Sequence, residues 1–391
     1  MEIELWWLLA VPLFFGLGWV AARVDIRHLV THSRALPTSY FRGLGFLLNE
    51  EPDKAIDAFI EVVRVDPETI ELHFALGNLF RRRGEIDRAI RMHSSLVNRP
   101  DLEESSRLQA FFELGQDYLK IGLLDRAEDV LSKLAGTMYA ARARIFLLDI
   151  FQLEKDWERA IAAARAIEAD GGGSLQKEIA HFHCELALRR LAESKPHEAR
   201  EHAQAALAAN RKSVRASIIL GDIEVFAGGH ELAIEIWRRI ESQDPQSLSL
   251  VGQRLFDCHA QLGRMREGLT LLKGYLSQTP SIDLLDLVFD LSVEQEGAQA
   301  AYRLVRDELK RSPTLQGLDR LLDAQMMLAD PAGMADLKLV KDPIHAHARR
   351  LNRYTCENCG FKARQHFWRC HGCNGWETFP PRRLEDIATL A

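Results

Sequence analysis

Leu76-Gly77-Asn78-Leu79-Phe80-Arg81-Arg82-Arg83-Gly84-Glu85-Ile86-Asp87-Arg88-Ala89-Ile90-Arg91 is the stretch that decides the fold. Apolar residues recur on a helical period as far as Phe80, Gly84 interrupts, and a second helical phrase opens around Asp87. The phrase recurs along the chain. Asp53-Lys54-Ala55-Ile56 precedes it. Asp125-Arg126-Ala127-Glu128, Trp157-Glu158-Arg159-Ala160-Ile161, His197-Glu198-Ala199 and Glu231-Leu232-Ala233-Ile234 follow it. The six alanines step by 34, 38, 33, 39 and 34 residues. A non-repetitive helical bundle would not reproduce that spacing. It predicts a stacked array of helix–turn–helix units.

The period resembles the tetratricopeptide repeat. Leu220-Gly221, Gly228, Ala233, Trp237 and Pro245 restate the pattern of Leu76-Gly77, Gly84, Ala89 and Pro100. Gly77 and Ala89 are expected to be small because the paired helices touch there. Phe80 and Trp237 are expected to fill gaps between units, and the prolines to stop each second helix. A seventh copy reads from Gly263 to Pro280, and a degraded eighth contains Gly297 and Pro313. Gly171-Gly172-Gly173-Ser174 reads as a flexible joint. Such stacks curve into a superhelix whose concave face suits protein partners. Asn78, Arg81 and Arg82 are the partner-binding candidates on that face, and a charge reversal at Arg81 is expected to spare folding.

Near the C-terminus the code changes. Cys356, Cys359, Cys370 and Cys373 form two Cys-x2-Cys knuckles separated by ten residues. Each knuckle offers two thiolates to one ion, and two knuckles complete a tetrahedral S4 site. Gly360, Gly372 and Gly375 ease the turns, and short strands are expected at Tyr354-Thr355 and at Phe367-Trp368-Arg369. With four thiolates and no open position, the ion is structural or a one-electron centre rather than a hydrolytic Lewis acid. Cys184 and Cys258 read as small buried apolar residues, and the sparse cysteine usage suits a reducing compartment.

The other end carries eighteen uncharged residues, Leu5 to Ala22, with Trp6, Trp7 and Trp19 near its ends. At about 1.5 Å per residue it matches a bilayer core of about 30 Å. Arg23, Arg27 and Arg34 all follow the run while Glu2 and Glu4 precede it, so an uncleaved anchor is expected, with the N-terminus outside and the bulk of the chain in the cytoplasm. The boundaries read as a transmembrane anchor at 1–22, a juxtamembrane linker at 23–35, a repeat array at 36–340 and a metal-binding domain at 341–391. Net charge is −6 for the chain and +4 over residues 341–391, so the basic tail hangs on an acidic body. That small excess is a weak nucleic-acid signal.

No nucleotide-binding, nucleophile-elbow or metalloprotease motif occurs, which argues against an enzyme. His181 and His183, two apart on one helix, point to different faces and read as ordinary helix residues. His345 and His347 could only be accessory to the metal.

The order of parts, together with the stretches Leu76 to Arg91, Ile179-Ala180-His181-Phe182 with Cys184-Glu185-Leu186-Ala187-Leu188, and Tyr354 to Trp376, resembles the lipopolysaccharide assembly protein B family of Gram-negative bacteria. The resemblance implies an all-α tetratricopeptide-repeat superhelix with an N-terminal transmembrane helix and a small rubredoxin-like or zinc-ribbon β domain. It implies a non-catalytic, single-pass inner-membrane adaptor that limits lipopolysaccharide synthesis. Its partners would be a membrane-bound ATP-dependent protease, the deacetylase committing flux to lipid A, and other lipopolysaccharide assembly and export proteins, with no nucleic acid. The four cysteines carry over as ligands of one iron ion; coordination chemistry alone permits zinc. Two readings compete. One is a rubredoxin-like electron carrier, although rubredoxins proper separate their knuckles more widely. The other is a nucleic-acid-binding zinc ribbon using Arg349, Arg350, Arg353, Lys362, Arg364 and Arg369.

Overall fold

The structure, a computed structural model, describes residues 38–383 apart from 50, 66–68 and 352. The expected anchor at Leu5–Ala22 and the linker at 23–35 lie outside the described residues. Among those described, no helix is long and apolar enough to cross a membrane.

The chain divides into two compact units, Met1–Ile150 and Phe151–Ala391. The first contains α1 (Thr38–Leu48), α2 (Pro52–Val65), α3 (Ile70–Arg83), α4 (Ile86–Val97), α5 (Glu104–Lys120) and α6 (Leu124–Ser132), and the division falls within α7 (Ala140–Glu154). The second continues with α8 (Trp157–Ala169), α9 (Gln176–Ala192), α10 (Pro196–Ala209), α11 (Val214–Phe226), α12 (His230–Arg238) and the short α13 (Ile240–Gln243). After a 3-10 turn at Pro245–Leu250 come α14 (Gly252–Gln261), α15 (Met265–Gln278), α16 (Ile282–Glu296), α17 (Ala298–Arg311), α18 (Leu315–Leu328) and α19 (Pro331–Leu351). Within each unit consecutive helices pack against one another, as the period predicts. The pair α18–α19 adds a unit that the spacing did not reveal. The helix α19 carries past residue 341 to Leu351, so the metal-binding module begins beyond the expected boundary.

All six phrase alanines are fully buried, each at 0% exposure. The reason for the glycines is sharper than expected. Gly43, Gly77, Gly115 and Gly221 each lie against a side chain sixteen positions later on the second helix of the same pair: Phe59, His93, Leu131 and Trp237. A Cβ at any of them would collide with that side chain. Trp237 therefore does not serve only a gap between units. It covers Gly221 of its own unit and donates its indole N–H to the Ile218 carbonyl at 3.2 Å. Gly84 and Gly228, both at φ 81°, end their helices in the left-handed region that a side chain disfavours. The glycine joint is tied down, because the Glu168 carboxylate accepts from the Leu175 N–H and the Gln176 side-chain amide, both at 2.6 Å. Cys184 and Cys258 are buried, and burial pushes the Cys184 thiol up to about 12.

Candidate metal centre

The terminal module is a small ribbon. Strand β1 (Tyr354–Thr355) pairs antiparallel with β2 (Lys362–Ala363). The second expected strand is reduced to a single bridge between Arg369 and Trp376. Each knuckle is a tight turn closed by its own backbone. The Gly360 N–H donates to the Cys356 carbonyl at 2.9 Å with Gly360 at φ 73°, and the Asn374 N–H donates to the Cys370 carbonyl at 2.9 Å. Gly372 lies against the Cys359 sulfur, where a Cβ would press at 3.2 Å.

These turns converge the four sulfurs. All four Sγ atoms lie within 4.8 Å of one another, with Cys356 and Cys373 at 3.8 Å and Cys359 and Cys370 at 3.6 Å. Disulfides require about 2.0 Å. A tetrahedron with metal–sulfur bonds of about 2.3 Å has sulfur–sulfur edges of about 3.8 Å, so the donor set fits an S4-bound ion. The thiols also need one. Burial would raise Cys356, but hydrogen bonds from Thr378 and the Cys359 and Asn358 backbone bring it down to about 6. The Phe361 backbone favours ionised Cys359, yet burial and the neighbouring sulfurs hold it up to about 12. Four thiolates this close repel one another unless a cation sits among them. When bound, the ion supplies cross-linking charge. The residues Cys356, Cys359, Cys370 and Cys373 hold it, and the amides and Thr378 orient them. His345 is not accessory to this centre; its Nδ1 pairs with Asp319 Oδ2 at 2.8 Å on α18. Among the described residues the metal-ligating group is the four cysteines alone.

The ribbon is seated on the helices of the second unit. Trp376 stacks on His181 with ring centroids 4.7 Å apart, and its edge meets Phe182 and Trp157. The Trp376 indole N–H donates to Gln152 Oε1 at 3.0 Å, and Arg369 donates to the Gln152 carbonyl at 3.3 Å. Glu377 accepts from His181 Nε2 at 3.0 Å and faces Lys177 at 3.4 Å. Burial would raise the Glu377 carboxyl, but the hydrogen bond from His181 and the Lys177 ammonium hold it below the usual range. At the other end the Tyr354 hydroxyl donates to Asp283 Oδ2 at 2.6 Å, and Arg383 pairs with the same carboxylate. Burial and Asp283 push the Tyr354 phenol up to about 12, so it stays a donor.

Sequence reasoning missed this seat, since it read His181 as an ordinary helix residue. A signal was present. Surface helices of a stack keep one charged stripe, yet Ile179 to Ala187 on α9 holds a single charged residue, Glu185, and Val214 to Leu220 on α11 a single one, Arg215. Helices so poor in charge are covered on more than one side, and both stretches are buried, Glu185 excepted.

Comparison with known proteins places the module and the array. A profile of the rubredoxin metal binding domain matches residues 354–381, and tetratricopeptide repeat profiles match residues 42–91 and 184–247. Lipopolysaccharide assembly protein B of Escherichia coli K12 is 34% identical over 384 residues, covering 97% of this chain and 98% of that protein. The chain belongs to the lipopolysaccharide assembly protein B family. The Haemophilus influenzae protein of the same name is 29% identical, again covering 97% and 98%. Among solved structures, a MamA protein aligns at 20% identity and a TM-score of 0.32, over 46% of this chain and 94% of that one.

In this family member the expected groove residues sit in the first unit, and they differ in role. Arg82 is exposed, whereas Asn78 and Arg81 are half-buried. Arg81 bonds Asp117 Oδ1 at 2.9 Å, the Glu113 carboxylate at 2.5 Å and Asn78 Oδ1 at 2.5 Å. Asp117 is fully buried and also meets His93 Nδ1 at 2.5 Å. Arg81 therefore compensates a buried carboxylate, and reversing its charge would not spare folding as the sequence reading expected.

Proposed function

We propose that this chain is a non-catalytic adaptor in lipopolysaccharide assembly, held at the inner membrane by Leu5–Ala22 with its N-terminus periplasmic. In this reading it presents the deacetylase that commits flux to lipid A to a membrane-bound ATP-dependent protease, and it contacts other assembly and export proteins. The observation that carries the adaptor reading is the seat of the ribbon. A metal-built module is locked onto repeat helices through Trp376, Glu377 and Tyr354, so the ion determines the shape of a protein-facing surface and not a reaction site. The four cysteines hold one iron ion, with zinc as the competitor, and a colour from ferric–thiolate absorption separates the two. Arg82 supplies exposed charge for partner contact, with Asn78 and Arg81 fixing the helix beneath it. Arg369, one of the basic residues of a nucleic-acid reading, is turned to the Gln152 carbonyl, which supports a protein-binding role instead.

The test is made in membranes. Crosslinking from the intact chain should capture the protease and the deacetylase, and a Cys356→Ser chain should let the deacetylase accumulate. Normal deacetylase turnover in cells carrying metal-free ribbon would sink the coupling of metal to regulation. A reporter fused after Ala391 that is active only in its periplasmic form would overturn the topology.

A further inference from the structure

Between the ribbon and helices α8, α9 and α11 lies a crevice of about 490 Å3 whose chemistry the seat itself does not use up. Lys155, Arg215 and Arg369 line it against one carboxylate, Glu185. Arg215 is 7% exposed; its Nη2 donates to Glu185 at 2.7 Å, while Nε and Nη1 have no hydrogen-bond partner among the described residues. Arg369 donates to the Gln152 and Asn374 carbonyls. Cys370, a ligand of the tetrathiolate centre, lines the ribbon side, so the positive potential lies on the helix side, where Lys155 and a buried guanidinium with unmade hydrogen bonds face a single carboxylate that is itself 28% exposed. Trp368 and Trp376 form part of the walls, and paired Trp and Arg side chains in a recess are the composition of protein-binding hot spots.

We propose that this crevice docks an acidic segment of a partner polypeptide, with an Asp or Glu side chain opposite Lys155 and Arg215 and a neighbouring apolar side chain on Trp368 and Trp376. A singly charged carboxylate suits the site better than phosphate, because Glu185 stands beside Arg215 and would repel a dianion more strongly. Free phosphate also brings nothing to cover the two indoles. A lipid surface is flat and would not enter a recess whose central cation is almost wholly buried. The proposal deepens the adaptor reading and rests on it only for the existence of a polypeptide partner.

The experiment uses the full, metal-loaded chain and a capped synthetic peptide, Asp-Phe-Glu-Leu-Asp, followed by tryptophan fluorescence and calorimetry. Saturable binding at one site is expected, weakened about tenfold or more by Lys155→Glu, an exposed position at which folding is preserved. Arg215→Gln should weaken it further, with helical content checked alongside. Equal binding of the neutral peptide Asn-Phe-Gln-Leu-Asn would overturn the proposal, as would an unchanged affinity in Lys155→Glu. Inorganic phosphate competing at the peptide's own concentration would make this a small-anion site instead. Lys155-dependent binding of phosphatidylglycerol vesicles would make it a membrane contact. Neither protease nor deacetylase is present in the assay, so its failure leaves the adaptor reading standing, and failure of deacetylase accumulation leaves the peptide result readable.

Discussion

The helical repeats and the ribbon of this protein are held together by different means. The repeats close on small residues and apolar bulk: six alanines at 0% exposure, and a core in the second unit that runs from Val214 through Trp237, Leu255 and Phe289 to Ala324. Burying each large apolar side chain there contributes about 1.5–3 kcal/mol, spread over many positions. The ribbon's own buried cluster is Tyr354, Cys356, Cys370 and Phe379, and two of these four are metal ligands. A fold with so small a core depends on its ion. Stability is distributed in one region and concentrated in the other, so single substitutions should act locally in the repeats and wholly in the ribbon.

The largest expected effect breaks the ribbon alone. Cys356→Ser or Cys373→Ser should take bound metal from close to one per chain to near zero by elemental analysis. Helical circular dichroism should persist with a cooperative melt, while Trp376 fluorescence shifts to the red as its seat is lost. Collapse of the helices together with the metal would erase the contrast.

Acid should probe the repeats next. Burial, then His202 and Arg165, lower His183 to about 4. Between pH 6.5 and 4 the unfolded chain therefore binds a proton that the folded chain refuses, so stability is full above 6.5 and falls as pH drops through that window. At about 1.4 kcal/mol per unit of displacement the loss is on the order of 3 kcal/mol. Denaturant melts of His183→Gln should show a shallower fall than the parent; parallel curves would remove His183 from the account.

Arg81→Ala comes third, leaving Asp117 with His93 as its remaining partner, for a cost of about 1.5–3 kcal/mol. An unchanged urea midpoint would restore Arg81 as a mere surface charge. Gly221→Ala drives a methyl into the Trp237 indole and should cost about 1–3 kcal/mol by overpacking, with metal content untouched. Metal loss in that variant would mean that the two regions are coupled. The smallest effect is Tyr354→Phe, about 0.5–1.5 kcal/mol for one hydrogen bond. Hydrogen exchange of the ribbon amides should quicken while the helix amides hold, and uniform quickening in both regions would count against a local seat.

Much of this was legible before any tertiary contact was known. The alanine period marked the helix pairs because each repeat must present a small residue where its two helices touch, and that demand recurs at fixed spacing. The four cysteines marked the metal site because each pair of ligands lies within one turn of chain. Cys184 and Cys258 were read as buried thiols, and they are. What the spacing could not convey was why Gly221 is small, since its reason is one particular indole sixteen positions away. Nor could it show that Arg81 holds a buried carboxylate on the next helix pair.

The sequence by itself determined the repeat, the ligands and the family, because each is written in residues close together or evenly spaced. Only the tertiary structure decided where the ribbon sits. The contacts that seat it join His181 to Glu377 across 196 positions and Gln152 to Trp376 across 224. Those partners are single polar and aromatic residues with no period of their own. Their meaning comes from being brought together, when the stacked helices carry α9 and the end of α7 to the place where the metal-closed turns present an indole and a carboxylate.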